Sequence, residues 1–378
     1  MTTRVSTRSV PESGLARRRL GGGGLREGIM VSSAPSRQTL VLLGLALMLI
    51  LTFVAALVVG STPVPLVAVI DILLGRSSQP DAVVMVVETI RLPRALTALL
   101  AGAALGIAGL QMQTLFRNPL ADPFALGISA GATLGVALVM LGSGYSPGVA
   151  FGATTGLQGD ALIVVAAVIG ASLVLGMVLL VSARITNPTT VLVLGLMFGY
   201  AVSAVVTVLV GVSQPERLQQ WAQWGFGSFS GVTWTRLALF APLIGLGLLV
   251  AGVMTKQLNA LLLGELYARS MGVGVRRARL LTMLGASVLG AVVTAFCGPI
   301  AFLGIAVPHI CRGLLNSSDH RVLVPAVVLM GGVVALVAQV ASLLPGTGVL
   351  PLNAVTSIIG APVVVLVLLR SRRGAFAG

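Results

Sequence analysis

The chain has 378 residues, 56% of them hydrophobic and only 9% charged, whereas a soluble domain carries about 25% charged residues. A normal polar skin over a globular core is excluded, and a mean hydropathy of +1.04 points to lipid as the solvent. The 24 basic residues outnumber the 10 acidic ones, for a formal net charge of +14, and that excess needs a topological account before a nucleic-acid one.

Residues 1–38 hold seven arginines, many Ser and Thr, and the run Gly21-Gly22-Gly23-Gly24. This composition predicts a basic disordered tail. The apolar run from Leu40 to Val59 is about 20 residues, longer than the 7–15-residue core of a cleaved signal, so the tail is expected to be retained. Apolar runs of membrane-spanning length then recur. Ten segments are expected, at 40–60, 94–114, 124–142, 161–183, 189–211, 236–255, 279–297, 299–315, 322–344 and 353–370. The fold class is therefore all-α: a polytopic membrane domain over 39–373, with a short tail at 374–378. The 47 glycines and 18 prolines suit membrane helices, where small residues allow close backbone approach.

Charge orients the chain. With the N-terminus inside and strict alternation, 19 of the 24 basic residues fall on the inner side, including Arg370, Arg372 and Arg373. Only Arg76, Arg91, Arg94, Arg217 and Arg236 lie outside. The positive-inside rule then places both termini in the cytoplasm, and an even number of crossings is required.

The stretch from Arg91 to Gly135 is the most informative. Arg91 and Arg94 stand on the outer side at the entrance to a helix, against the charge bias. They contact headgroups by snorkelling or dock an acidic partner outside the membrane. The following apolar run ends at Arg117-Asn118-Pro119, where broken backbone must be buried in protein or face water. Gly102/Gly106 and Gly131/Gly135 have the spacing of close helix packing. Gly127-Ile128-Ser129-Ala130-Gly131 matches a hydrolase nucleophile elbow, but no strand precedes it, and helix packing accounts for it better.

The longest internal polar segment is 255–278. Leu258, Leu261, Leu262 and Leu266 recur at helical spacing, which predicts a short amphipathic helix broken by Gly272 and Gly274. No phosphate-cradling loop surrounds Lys256, the one lysine, so the chain is not expected to hydrolyse ATP or to be an enzyme by itself. Cys297 and Cys311 read as free buried thiols. His309 and His320 are too few for a metal centre, so neither metal nor cofactor is expected. His309 is expected to cap carbonyls or face a partner. The spans hold almost no ionisable side chains, unlike ion-driven carriers. A wide, weakly polar path is expected, with Gln111, Gln113, Ser129, Thr133 and Asn353 as lining candidates, and Met112 and Met197 as core.

Eight ordered blocks carry a resemblance: RLPR at 91–94, FRNPLADP at 116–123, LGISAGATLG at 126–135, WGFGSFSGVTW at 224–234, GELYARSMGV at 264–273, GPIAFLGIAVPHICR at 298–312, DHRVLVP at 319–325 and PLNAVTSIIGAP at 351–362. Together they resemble the FecCD-type permease subunits of binding-protein-dependent ABC importers for iron–siderophore complexes, haem and vitamin B12. The resemblance implies a ten-helix subunit in the cytoplasmic membrane, paired with itself or a close homologue. It also implies two cytoplasmic ATPase subunits and an extracytoplasmic substrate-binding protein. It assigns Arg91 and Arg94 to docking on that binding protein. A further outer arginine common in the family has no counterpart in Ala338–Ser342. The 255–278 loop becomes the coupling loop to the ATPase, with Glu265, Arg269 and Gly272 as its key residues. The inner gate falls at Asn187, Pro188, Thr189 and Thr190. The implied function is import by alternating access of a ferric siderophore, or else haem or a corrinoid. The alternative is a secondary transporter working without an ATPase, which would need a charge relay in the membrane. An intramembrane enzyme, needing a Ser-His pair at depth, ranks third.

Overall fold

The computed structural model describes residues 36–60, 62–76, 79–142, 159–182, 184–185, 187–343 and 349–375. The tail expected over 1–38 lies outside the described residues up to 35. From there Ser36 caps the first helix, its hydroxyl accepting from the backbone N–H of Thr39.

All described regular structure is helical. The helices are α1 (Arg37–Val58), α2 (Leu66–Leu73), α3 (Asp81–Phe116), α4 (Ile128–Met140), α5 (Gly159–Ser182), α6 (Pro188–Gly211) and α7 (Pro215–Gly225). After them come α8 (Trp234–Val253), α9 (Thr255–Leu263), α10 (Glu265–Ser270), α11 (Val275–Cys297), α12 (Leu303–Leu315), α13 (His320–Leu343) and α14 (Leu352–Ala375). Seven of the described helices are long and apolar enough to cross a membrane: α1, α3, α5, α6, α8, α11 and α13. Three shorter apolar helices, Ile128–Met140, Leu303–Leu315 and Leu352–Leu366, complete the ten expected segments. The chain is an all-α polytopic membrane protein.

Two short helices, α2 and α7, have no counterpart in the expected spans. α7 carries Trp221 and Trp224, residues typical of a membrane–water boundary. A third difference concerns the second span, expected to begin at Arg94. Its helix runs on from Asp81, with a π-helical stretch at Val86–Arg91 just before Pro93. Proline inside a helix lacks an N–H and clashes with the preceding turn. Local widening to a π turn accommodates both faults without ending the helix.

α3 is the axis of the molecule. Of its membrane window, 83% is buried, against 22% for α6. α13, α11, α12 and α8 pack around it. Glycine makes the closest approaches possible: a Cβ on Gly109 would stand 1.8 Å from the carbonyl oxygen of Gly304, and one on Gly102 2.1 Å from that of Gly331. The expected packing at Gly131 and Gly135 is also present, against Gly170 and Ala166 of α5. Met112 lies in the core as expected, but Met197 does not: half its surface is open on α6.

Contacts between distant segments sort into two ends. At one end the Arg37 guanidinium donates to Leu314 O (3.3 Å), Arg117 to Leu261 O (3.2 Å) and the Asn259 amide to Asp319 (2.6 Å). At the other, Trp234 donates to Glu88 O (2.9 Å), Arg236 pairs with Asp160 (2.6 Å) and the Asn353 N–H donates to Phe226 O (3.0 Å). Every one of these pairs joins loops that ten alternating crossings put on the same side.

Candidate functional site

At the Arg91 end, the two arginines of Arg91-Leu92-Pro93-Arg94 have different fates. Arg91 is buried. Its guanidinium donates to the carbonyls of Leu57 (2.7 Å) and Val58 (2.8 Å) and to the backbone and hydroxyl oxygens of Thr62. It thereby caps the end of α1, where carbonyls have no partner within the helix. A Cβ on Gly60 would stand 2.7 Å from its Nη2. The expectation that Arg91 docks an external acid conflicts with this burial: its guanidinium is turned onto the carbonyls of Leu57, Val58 and Thr62. Arg94 is half-buried, and its Nε has no hydrogen-bond partner among the described residues. A guanidinium in that state is costly alone and suited to meet a carboxylate.

At the Arg37 end, segment 255–278 is two helices rather than one. Gly264 separates α9 from α10 at φ +118, a conformation that L side chains rarely adopt. The leucine spacing crosses this break, so Leu258 and Leu261 are buried while Leu266 is 83% exposed. α9, α10 and the start of α11 share a small core of Ala260, Leu261, Ala268, Val275 and Ala278. Glu265 and Arg269 face each other one turn apart at 3.9 Å, an i,i+4 pair of small energetic weight. Gly272, at φ +80, turns the chain out of α10.

A cavity of about 250 Å³ joins this loop to the turn between α5 and α6. Glu265, Arg269, Arg276 and Arg279 meet Ser182, Arg184 and Ile185 there. The gate candidates follow at once. Asn187 caps α6 by accepting from Thr189 N–H (2.9 Å), and Pro188 takes the first helical position. Asn187, Thr189 and Thr190 are exposed. The cavity thus brings Glu265 and Arg269 beside Ile185, two residues before Asn187.

The lining candidates fare unevenly. Gln111 is 1% exposed, and neither of its amide atoms has a hydrogen-bond partner among the described residues. Gln113 is a joint: its amide donates to Gly304 O (3.2 Å) and Ile305 O (3.3 Å) and accepts from Arg312 (2.5 Å). Both lie in the stretch from Ala101 to Phe116, where every residue is buried, so the expectation that they line an open path conflicts with their burial. Asn353 is a joint as well, accepting from Ala301 N–H (3.1 Å). Ser129 and Thr133 are half-buried, with the Thr133 hydroxyl donating to Ser129 O (2.8 Å). α6 has open polar side chains: Tyr200, Ser203 and Thr207 are exposed alongside Met197. Their helical spacing was the signal available in the sequence. Cys297 and Cys311 are free and buried, as expected.

A model of the FecCD transport family matches residues 48–370. The chain is 39% identical over 285 residues to the vitamin B12 import system permease protein BtuC of Klebsiella pneumoniae subsp. pneumoniae, covering 75% of this chain and 82% of that protein. It is 37% identical over 286 residues to the BtuC protein of Salmonella typhi, covering 75% and 83%. Among solved structures, a metal-chelate type ABC transporter in an inward-facing conformation superposes with a TM-score of 0.74 at 26% identity, over 87% of this chain and 99% of that one. With the ten apolar segments, the two polar ends and the match along nearly the whole membrane domain, this chain belongs to the FecCD transport family.

Proposed function

We propose that the chain is the membrane-spanning subunit of an ATP-driven importer in the cytoplasmic membrane, with the Arg37 end facing the cytosol. One observation carries the dependence on an ATPase. α10 holds Leu266 and Tyr267, 83% and 54% exposed, on a loop outside the bilayer. Large apolar side chains in that position mark a protein contact. The cavity that joins Glu265 and Arg269 to the α5–α6 turn gives movement of the contact a short route to the gate residues Asn187–Thr190. The open face of α6 is taken to meet a second permease subunit and to line the path between them through Tyr200, Ser203 and Thr207. Arg94 is the arginine left to dock a binding protein on the other side.

The proposed cargo is a bulky metal chelate. The relatives above are named for vitamin B12, so a corrinoid is the first compound to test and a ferric siderophore the second. Affinity purification in mild detergent tests the assembly: an ATPase subunit should come with the wild-type chain and be lost from Leu266→Asp. Purification of the wild-type chain without any ATPase would reject the reading.

A further inference from the structure

The coupling loop is held to the core by a chain of hydrogen bonds, buried at its inner end and open at Asp319, whose members no part of the function above uses. Asn259 lies on α9, His320 opens α13, and Thr114 is in the last turn of α3. Asn259 Oδ1 accepts both the backbone N–H of His320 (2.9 Å) and its ring Nδ1–H (2.8 Å). Asn259 Nδ2 donates to Asp319 (2.6 Å). Because Oδ1 already takes the backbone N–H, the amide orientation is fixed and the neutral ring carries its proton on Nδ1. Nε2 then accepts the single Thr114 hydroxyl proton at 2.8 Å, in place of Leu110 O, the other acceptor within reach of that hydroxyl at 2.9 Å. His320 and Thr114 are both essentially without solvent exposure. A second tie lies beside it, from the Arg117 guanidinium to Leu261 O at the end of α9.

We propose that His320, bridging Asn259 and Thr114, is a positioning residue that latches the coupling loop to α3, and that α3 carries ATPase-driven movement to the docking arginine at its other end. This rests on the assignment of α9 and α10 as the coupling loop. The shared core of α9, α10 and α11 makes a displacement of α10 a displacement of α9. The latch passes it to α3 and α13, which are locked by the backbone contact of Gly102 with Gly331. From Leu92 to Phe116, α3 is an uninterrupted α-helix, so Arg94 and Thr114 are about 30 Å apart on one rod. Two sites coupled through one rigid element must influence each other reciprocally. Buried polar networks of this kind fix a unique geometry at the cost of intolerance to partial loss.

The test uses the complete complex with its co-purified ATPase and binding protein. The equilibrium affinity for binding protein is measured with and without a non-hydrolysable ATP analogue. Wild type should show a nucleotide-dependent shift of about fivefold or more, the lower range of allosteric coupling. Asn259→Ala and the near-isosteric Thr114→Val should abolish the shift while keeping the nucleotide-free affinity. Asn259→Ala combined with His320→Ala should be no worse than either alone, since members of one network are non-additive. A Leu266→Cys cross-link to the ATPase, made in each background, separates the two ideas. No cross-link in any background overturns the coupling-loop assignment. A cross-link together with an undiminished affinity shift in Asn259→Ala and Thr114→Val overturns the latch.

Discussion

Arg91 and Arg94 share a motif and a charge, but the contacts of their side chains separate them. Arg91 spends its donors on the carbonyls that close α1. Arg91→Leu should therefore cost about 3 kcal/mol, through several buried acceptors left unsatisfied, and show as lower thermal stability and yield. Arg94→Glu should express normally and weaken binding-protein affinity about tenfold or more, through reversal of a charge at a complementary interface. Equal folding defects in both variants, or normal docking by Arg94→Glu, would count against this division. Asp319 gives a pH signature. The backbone N–H of Arg321 and the amide of Asn259 hold its carboxyl below the usual carboxylate range. A depressed folded value contributes stability that is complete above about pH 4 and lost as pH falls through the folded value. The melting temperature of the wild-type chain should drop more steeply below about pH 4 than that of Asp319→Asn, and parallel curves would remove the effect.

Helix α3 shows what a pattern of residues can and cannot announce. Apolar length located the span, and Gly102, Gly106, Gly131 and Gly135 announced the tight packing that is found. The start was misplaced because Pro93 reads locally as a beginning, whereas the π turn at Val86–Arg91 lets the helix pass through it. The same limit applies to 255–278: leucine spacing gives the helical period but not the φ of Gly264, which redirects the face after Leu263. Glutamine in an apolar run reads as a path-lining group, since polarity is visible in the sequence and the neighbours that cover Gln111 and Gln113 are not. Two substitutions probe these elements. Gly109→Ala forces a Cβ onto the Gly304 carbonyl and should cost about 3 kcal/mol or more, at the upper end of overpacking. Glu265→Ala should leave the fold intact and weaken ATP-driven uptake, and a fully coupled variant would remove Glu265 from the coupling set.

Across the chain, the apolar segments were legible because charge and hydrophobicity answer to the bilayer directly, and seven of them form helices long enough to cross it, with three shorter. Loops assigned to one side by charge are the loops that touch: 37 with 314, 117 with 261, 88 with 234, 160 with 236. Partners were less legible, because a surface such as Leu266 and Tyr267 acquires meaning only once its exposure is known. The cargo is least legible, since the open face of α6 carries few polar groups and no charged ones. The decisive measurement is accumulation of labelled cobalamin, or of a ferric siderophore, in vesicles holding the purified complex with binding protein outside and ATP trapped inside. The account predicts uptake that needs both ATP and the binding protein and falls to background when either is omitted. Accumulation by the chain alone, without nucleotide, would contradict it.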